Sequence, residues 1–190
     1  MNLKYKTSNL RFKHSFTISK GTKTHQPALL VELEFFGIKG YGEAPAIDYY
    51  HITVDKMIED IGAKKKMIEK FSFTEPERYW HYLHHLIPND PFLICALDMA
   101  AWDIFGKMKR RQLHELWNLD VSNNPLTNIT IGIDTIENMV SKIKETPWPV
   151  YKIKLGTQHD VEIIQELRKH TDSIFRIDAN AAWKAEEALA

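Results

Sequence analysis

The chain has 190 residues, 44% of them apolar, with 25 Lys plus Arg against 25 Asp plus Glu and a single cysteine. That apolar share is ordinary for a packed globular protein, and the charge balance leaves no global field to gather nucleic acid, anionic lipid or acidic substrate, so any charge recognition has to be local. Cys95 stands alone in the apolar run from Phe92 to Leu97, which excludes an internal disulfide framework and a thiolate metal cage and fits a reducing compartment.

The N-terminus, Met1-Asn2-Leu3-Lys4-Tyr5-Lys6, leads into polar alternation rather than an apolar leader, and no run approaches membrane-spanning length. A soluble, cytoplasmic protein with no nucleic-acid and no membrane partner is expected. Ala28 to Phe36 reads as a strand, and Gly37, Gly40 and Gly42 punctuate a return strand, giving a small antiparallel meander. The polar segment Thr17 to Gln26, with one glycine and two lysines, is expected to be a mobile loop.

From about Thr53 the period changes. Val54, Met57, Ile58 and Ile61 recur at helical spacing, and Thr74-Glu75-Pro76-Glu77 has the form of a capping box before a second helix. A third helix, from Pro91 to about Lys107, is apolar enough to be expected buried on most of its circumference. Beyond Pro125 strands (126–133, 150–155, 174–177) alternate with helices (135–145, 160–170), the pattern of βαβ units and a parallel sheet. A (β/α) barrel takes roughly 31 residues per unit, so residues 126–190 hold two units and the start of a third. The expected organisation is an α+β domain over 1–125 followed by the opening of a barrel, incomplete in this chain, over 126–190.

Lys152-Ile153-Lys154 sets two ammonium groups on one face of a strand, roughly 6 to 7 Å apart, with Ile153 on the other. Each cation disfavours the protonated state of its neighbour, which is one way a lysine becomes a base. Read alone, the pair equally marks a solvated strand end, and Asp178-Ala179-Asn180 is an ordinary turn composition. Together, at the ends of successive parallel strands, the lysines and the carboxylate share one rim, where barrels deliver catalytic groups.

Lys152-Ile153-Lys154-Leu155-Gly156 and Asp178-Ala179-Asn180 with Trp183 resemble the Lys-x-Lys and Asp-Ala-Asn elements of the muconate-lactonizing subgroup of the enolase superfamily. Gly40-Tyr41-Gly42-Glu43-Ala44 is similar to the end of that family's capping meander, Ala96 to Lys107 to its third capping helix, and Thr130 to Ile133 to its first barrel strand. Within the subgroup the set is most similar to the dipeptide epimerases of the L-Ala-D/L-Glu type. The match runs along essentially the whole chain. One departure stands inside it: the family follows Asp-Ala-Asn with Gln-Gly-Trp, and this chain has Ala181-Ala182-Trp183.

The resemblance implies an α+β capping domain followed by the first strands and helices of a (β/α)7β barrel, and Mg²⁺-dependent epimerisation of a small dipeptide, in cell-wall peptide metabolism, by α-proton abstraction through an enediolate. It implies Lys154 as acid/base on one face of the substrate carbon, Lys152 beside the substrate carboxylate, and Asp178 as the first of three carboxylate ligands to Mg²⁺. Thr130 and Asn180 are implied to bind substrate, as is Lys23 (or Lys20) for a glutamyl carboxylate, although Thr130 also fits barrel packing and the lysines a solvated loop. The opposing lysine and two metal ligands belong to later strands that these residues do not include. The same site serves o-succinylbenzoate synthases and cycloisomerases, and a chain without those strands reads alternatively as a non-catalytic fragment or pseudoenzyme. A homo-oligomer is compatible with all of these.

His81, His84 and His85, at i, i+3, i+4 of a helix, are expected to form a partly exposed surface, and Lys64-Lys65-Lys66 a solvated helix end. Asp98 and Asp103 are expected to pair with basic groups or cap backbone.

Overall fold

In the computed structural model residues 1–189 are described, and they form two compact units. One comprises Met1–Arg11 with His25–Ser122; the other comprises Phe12–Thr24 with the residues from Asn123 onward. Residues 12–24 thus group with the later part of the chain rather than with the strands and helices between them.

The first unit is a meander covered by helices. Strands β1 (Asn2–Ile18), β2 (Gly21–Phe35) and β3 (Ile38–Pro45) lie in the order β1-β2-β3. The antiparallel β2–β3 register closes at Phe35↔Ile38 through Phe36 and Gly37, both at positive φ (48° and 78°), the geometry whose twist suits a two-residue hairpin. Alternation sends Leu29, Val31 and Leu33 into the core. The segment expected to be a mobile loop is instead the end of this hairpin: β1 runs to Ile18 and β2 starts at Gly21, whose φ of 144° supplies the turn. Its polarity reflects exposed strand faces.

Helices α1 (Val54–Lys70), α2 (Pro76–Leu86), α3 (Pro91–Lys109) and α4 (Leu113–Leu116) follow. Thr53 caps α1 by accepting from Lys56 N at 3.2 Å, and Asp90 caps α3 by accepting from Leu93 N at 2.9 Å. The capping box expected at Thr74 does not form. Pro76 keeps Glu75 extended and occupies the first helical position, so Glu75 is the cap residue and Thr74 accepts from Arg78 instead. A capping box is found at Gln112 and Glu115. As expected, α3 is buried on most of its circumference: Leu93, Ile94, Ala96, Leu97, Ala100, Ala101 and Ile104 face inward, while Cys95 and Met99 are exposed.

Glycine fixes how closely α3 packs on β3. A Cβ on Gly40 would come within 2.0 Å of Ala100 O, and one on Gly42 within 1.9 Å of Ala96 O. Lys107 completes the seam, bonding Lys39 O and Asp103 at 2.7 Å each, while Asp103 also accepts from Tyr41 N.

The second unit carries β4 (Ile129–Ile131), α5 (Ile136–Glu145), β5 (Val150–Lys154), α6 (Asp160–Arg168), β6 (Ile174–Asp178) and α7 (Ala185–Leu189). The three strands are parallel in the order β4-β5-β6, too few to close a barrel of eight. Ile131, Tyr151 and Ile153 pack from one face of the sheet with Met139, Ile143, Ile163 and Leu167 of the helices. The hairpin end joins this unit: Thr17 O accepts from Ile133 N at 3.0 Å, and Lys13 and His14 both reach Glu145. No helix among the described residues is long and apolar enough to cross a membrane.

Gly42→Ala drives a methyl into helix backbone, so a loss of about 1–3 kcal/mol is expected. Gly62→Ala, exposed on α1 with only Tyr5 Oη within 4 Å, at 3.5 Å, is expected to gain about 0.5–1 kcal/mol. Urea denaturation of both variants reads the contrast.

Candidate functional site at the ends of the parallel strands

The register Thr130↔Lys152↔Arg176 and Lys154↔Asp178 places these side chains on the sheet face opposite the helices. Lys152 Nζ and Lys154 Nζ each lie 2.8 Å from Asp178 Oδ2. Lys154 also donates to Asn180 Oδ1 at 3.1 Å and stands 5.8 Å from the ring centre of Phe16. Asp178 Oδ1 accepts from Asn180 N at 2.9 Å. Hydrogen bonds from Lys152, then Lys154, then the Asn180 amide hold the Asp178 carboxyl far below the usual carboxylate range. The lysine side chains differ in solvent access, 37% exposed for Lys152 and 9% for Lys154.

Of the residues singled out from sequence, Lys152, Lys154, Asp178 and Asn180 are thus in contact, and Thr130 is an exposed neighbour of Lys152 in the register. Lys23 lies half-buried on β2, and its side chain makes no hydrogen bond or ion pair among the described residues. Arg176 was not anticipated. It shares the face of Lys152 and donates to Asn128 Oδ1 at 3.1 Å; its position two residues before Asp178 on the same strand was the available signal.

Behind the lysines a second carboxylate organises the loops. Asp160, 8% exposed, accepts through Oδ1 from Thr157 N (2.8 Å) and Thr157 Oγ1 (2.7 Å), and through Oδ2 from Gly156 N (2.9 Å) and Trp183 Nε1 (2.7 Å). Burial works to raise its pKa, but the bonds from Thr157, Trp183 and Gly156 prevail and lower it. Between Asp178 and Trp183 the backbone turns through two left-handed residues, Asn180 (φ 52°) and Ala181 (φ 60°). Asn adopts that region readily, whereas a residue such as Ala is strained there by about 1–2 kcal/mol. A hollow of about 1140 Å³ lined by Thr157, Ile164, Ile177 and Trp183 takes in none of Thr130, Lys152, Lys154 or Asp178.

Asp178 suits a hard cation as one oxygen ligand, being ionised and partly exposed. Among the described residues no cluster of three or more His, Cys, Asp or Glu side chains could hold a metal, so the carboxylate set for Mg²⁺ is not completed here. His84 and His85 bond Trp80 O and His81 O of their own helix. Asp98 corrects the expectation of a partner: Oδ1 is buried with no hydrogen bond among the described residues, and burial, then Glu77, push its carboxyl up to about 6.

Residues 3–117 match the model of the mandelate racemase / muconate lactonizing enzyme N-terminal domain. The chain belongs to that family. Among its relatives, an L-Ala-D/L-amino acid epimerase of Flavobacterium johnsoniae is 47% identical over 189 residues, covering 100% of this chain and 56% of the relative. The chain spans about half the length of the curated relatives it matches. A dipeptide epimerase of Enterococcus faecalis, solved with Mg and L-Leu-L-Tyr, superposes with a TM-score of 0.80 at 26% identity, covering 98% of this chain and 55% of that one. The substrate-liganded L-Ala-D/L-Glu epimerase of Bacillus subtilis, at 22% identity and TM-score 0.86 over 99% of this chain and 55% of its own, shares the fold. Membership in the mandelate racemase / muconate lactonizing enzyme family identifies residues 3–117 as the N-terminal capping domain of the enolase superfamily, and the barrel that accompanies it is incomplete in this chain.

Because the folded pKa of Asp178 is depressed, its contribution to stability is fully present above the ordinary carboxylate value near 3.9 and is lost as pH falls through the lower folded value. Asp178→Asn is therefore expected to be less stable than the parent by a constant margin above about pH 5, the margin closing below about pH 4. Melting curves across pH 2 to 7 check it.

Proposed function

We propose that this chain is the N-terminal part of a Mg²⁺-dependent dipeptide epimerase that inverts the α-carbon of the second residue of L-Ala-X dipeptides, L-Ala-L-Glu among them. The observation that carries the reading is the nearly buried Lys154 held against Asp178 at the end of β5, in a chain whose relatives bear epimerase names.

An α-hydrogen beside a carboxylate is very weakly acidic, because its removal places a second negative charge on the carboxylate oxygens. Lys154 is the residue that exchanges a proton with one face of the α-carbon, taking it in one direction of the epimerisation and delivering it in the other, while the opposing lysine does the converse on the other face: Phe16 and Asn180 limit its solvent, and its position on a strand end fixes its direction. Lys152, more exposed, stands beside the substrate carboxylate and opposes the developing charge. When bound, Mg²⁺ supplies further stabilisation of that charge, with Asp178 as one of its ligands. Thr130 and Asn180 hydrogen-bond the dipeptide, and Lys23 neutralises an acidic side chain. The remaining ligands and the lysine on the opposite face belong to strands beyond those present.

The polypeptide that completes the barrel, incubated with L-Ala-L-Glu and Mg²⁺ in D₂O, is expected to incorporate deuterium at the glutamyl α-carbon and accumulate the epimer. Lys154→Ala is expected to slow exchange at least about 10²-fold, and chelation of the metal to abolish it. Exchange with no dipeptide would sink the assignment.

A further inference from the structure

Beyond Lys154↔Asp178 the strand pairing ends, and one backbone bond, Leu155 N to Asp178 O at 3.1 Å, continues it. The groups that matter lie at or past that point. Asn180 sits in a loop of left-handed residues that no helix or strand holds, and Lys154 hands over directly to the turn at Gly156. Besides the bond from Lys154 to Asn180, two side-chain tethers join the loop to the rest of this unit: Ser19 Oγ donates to Ala179 O at 3.3 Å, at the limit of a useful bond, and Trp183 Nε1 donates to Asp160 at 2.7 Å.

We propose that Asp160 is a positioning residue, which joins the turn following the lysine strand to the loop following the carboxylate strand and so sets the spacing of Lys152 and Lys154 from Asp178. The proposal rests on the epimerase reading of that site. Both oxygens of Asp160 are used, and the division is what matters. Oδ1 serves only Thr157, within its own turn; Oδ2 serves Gly156 of that turn and Trp183 of the neighbouring loop. A single ionised oxygen bridges the two motifs, and a carboxylate in a nearly dry setting makes each bond stronger than a neutral acceptor would. Loss of the bridge lets Asp178 and the lysines drift apart without emptying the core, because Trp183 keeps its packing against the apolar cluster.

The variants are Asp160→Asn, whose one carbonyl oxygen cannot serve Thr157 and both loops together, and Trp183→Phe, which removes only the indole donor. In the complete enzyme each is expected to weaken Mg²⁺ binding measured calorimetrically without substrate by about 10- to 100-fold and to lower kcat similarly, with KM for the dipeptide within about threefold. The double variant is expected to be no worse than the worse single one, since both cut the same bond. Indole-proton exchange of Trp183 is expected to quicken in Asp160→Asn. Should both variants keep Mg²⁺ affinity and kcat within about twofold while melting earlier, Asp160 is structural only and the proposal fails. A wild-type enzyme that binds Mg²⁺ yet exchanges no α-proton overturns the epimerase reading alone, and the affinities then decide for or against Asp160.

Discussion

Lys154 is only 7% exposed, and an ammonium so far removed from water persists in a fold only while a carboxylate and hydrogen-bond acceptors face it. Asp178 and Asn180 meet that demand, and they can do so in one register only. A slip of one residue between β5 and β6 would turn Asp178 to the helix side and bring Ile177 to face the lysines, reversing both faces at once. The apolar partners Tyr151, Ile153 and Phe175 on the helix side impose the same register from behind. Polar pairing in front and apolar packing behind thus agree, which is why a three-stranded parallel sheet can hold charged groups at fixed spacing.

The inner face of that sheet is unusual for a parallel sheet, whose strands are ordinarily apolar on both sides. It presents Thr130, Lys152, Lys154 and Arg176 with Asp178, three cations against one carboxylate, in a chain whose overall charge is balanced. The neutrality of the whole therefore conceals a local positive excess. Lys152 and Lys154 share Asp178, whereas among the described residues the Arg176 side chain has only the neutral amide oxygen of Asn128 as its hydrogen-bond partner. A face of this kind favours anions, and on the proposed reading the reaction develops negative charge next to it.

Much of this was legible in the sequence, for reasons that can be named. The helices and strands after residue 125 follow from hydrophobic period, and Lys152, Lys154 and Asp178 from the two-residue alternation of strands whose order is nearly forced in βαβ units. What could not be read depended on contacts distant in sequence or on competition between local rules. Thr17 to Gln26 has the composition of a loop, yet most of it is strand, in a hairpin that extends past the first unit's residues. At Thr74 a capping signature and a proline signature overlapped, and the proline prevailed because its constraint is covalent. Asp160 gave no warning, since its partners Gly156 and Trp183 become neighbours only when β5 and β6 pair.

The departure at Ala181-Ala182 has a physical counterpart across the rim. A Cβ at position 156 would meet Ala182 Cβ and Ser19 Cβ at 2.8 Å each and Ala179 O at 3.1 Å, and the backbone there has φ of 114°. Gly156 is therefore required twice, by its own conformation and by the methyl groups facing it. A glycine at 182 would relieve one of those contacts but neither the other two nor the φ. The substitution of the family's Gln-Gly pair thus alters polarity at the rim but leaves intact the close approach on which the spacing of Lys154 and Asp178 depends.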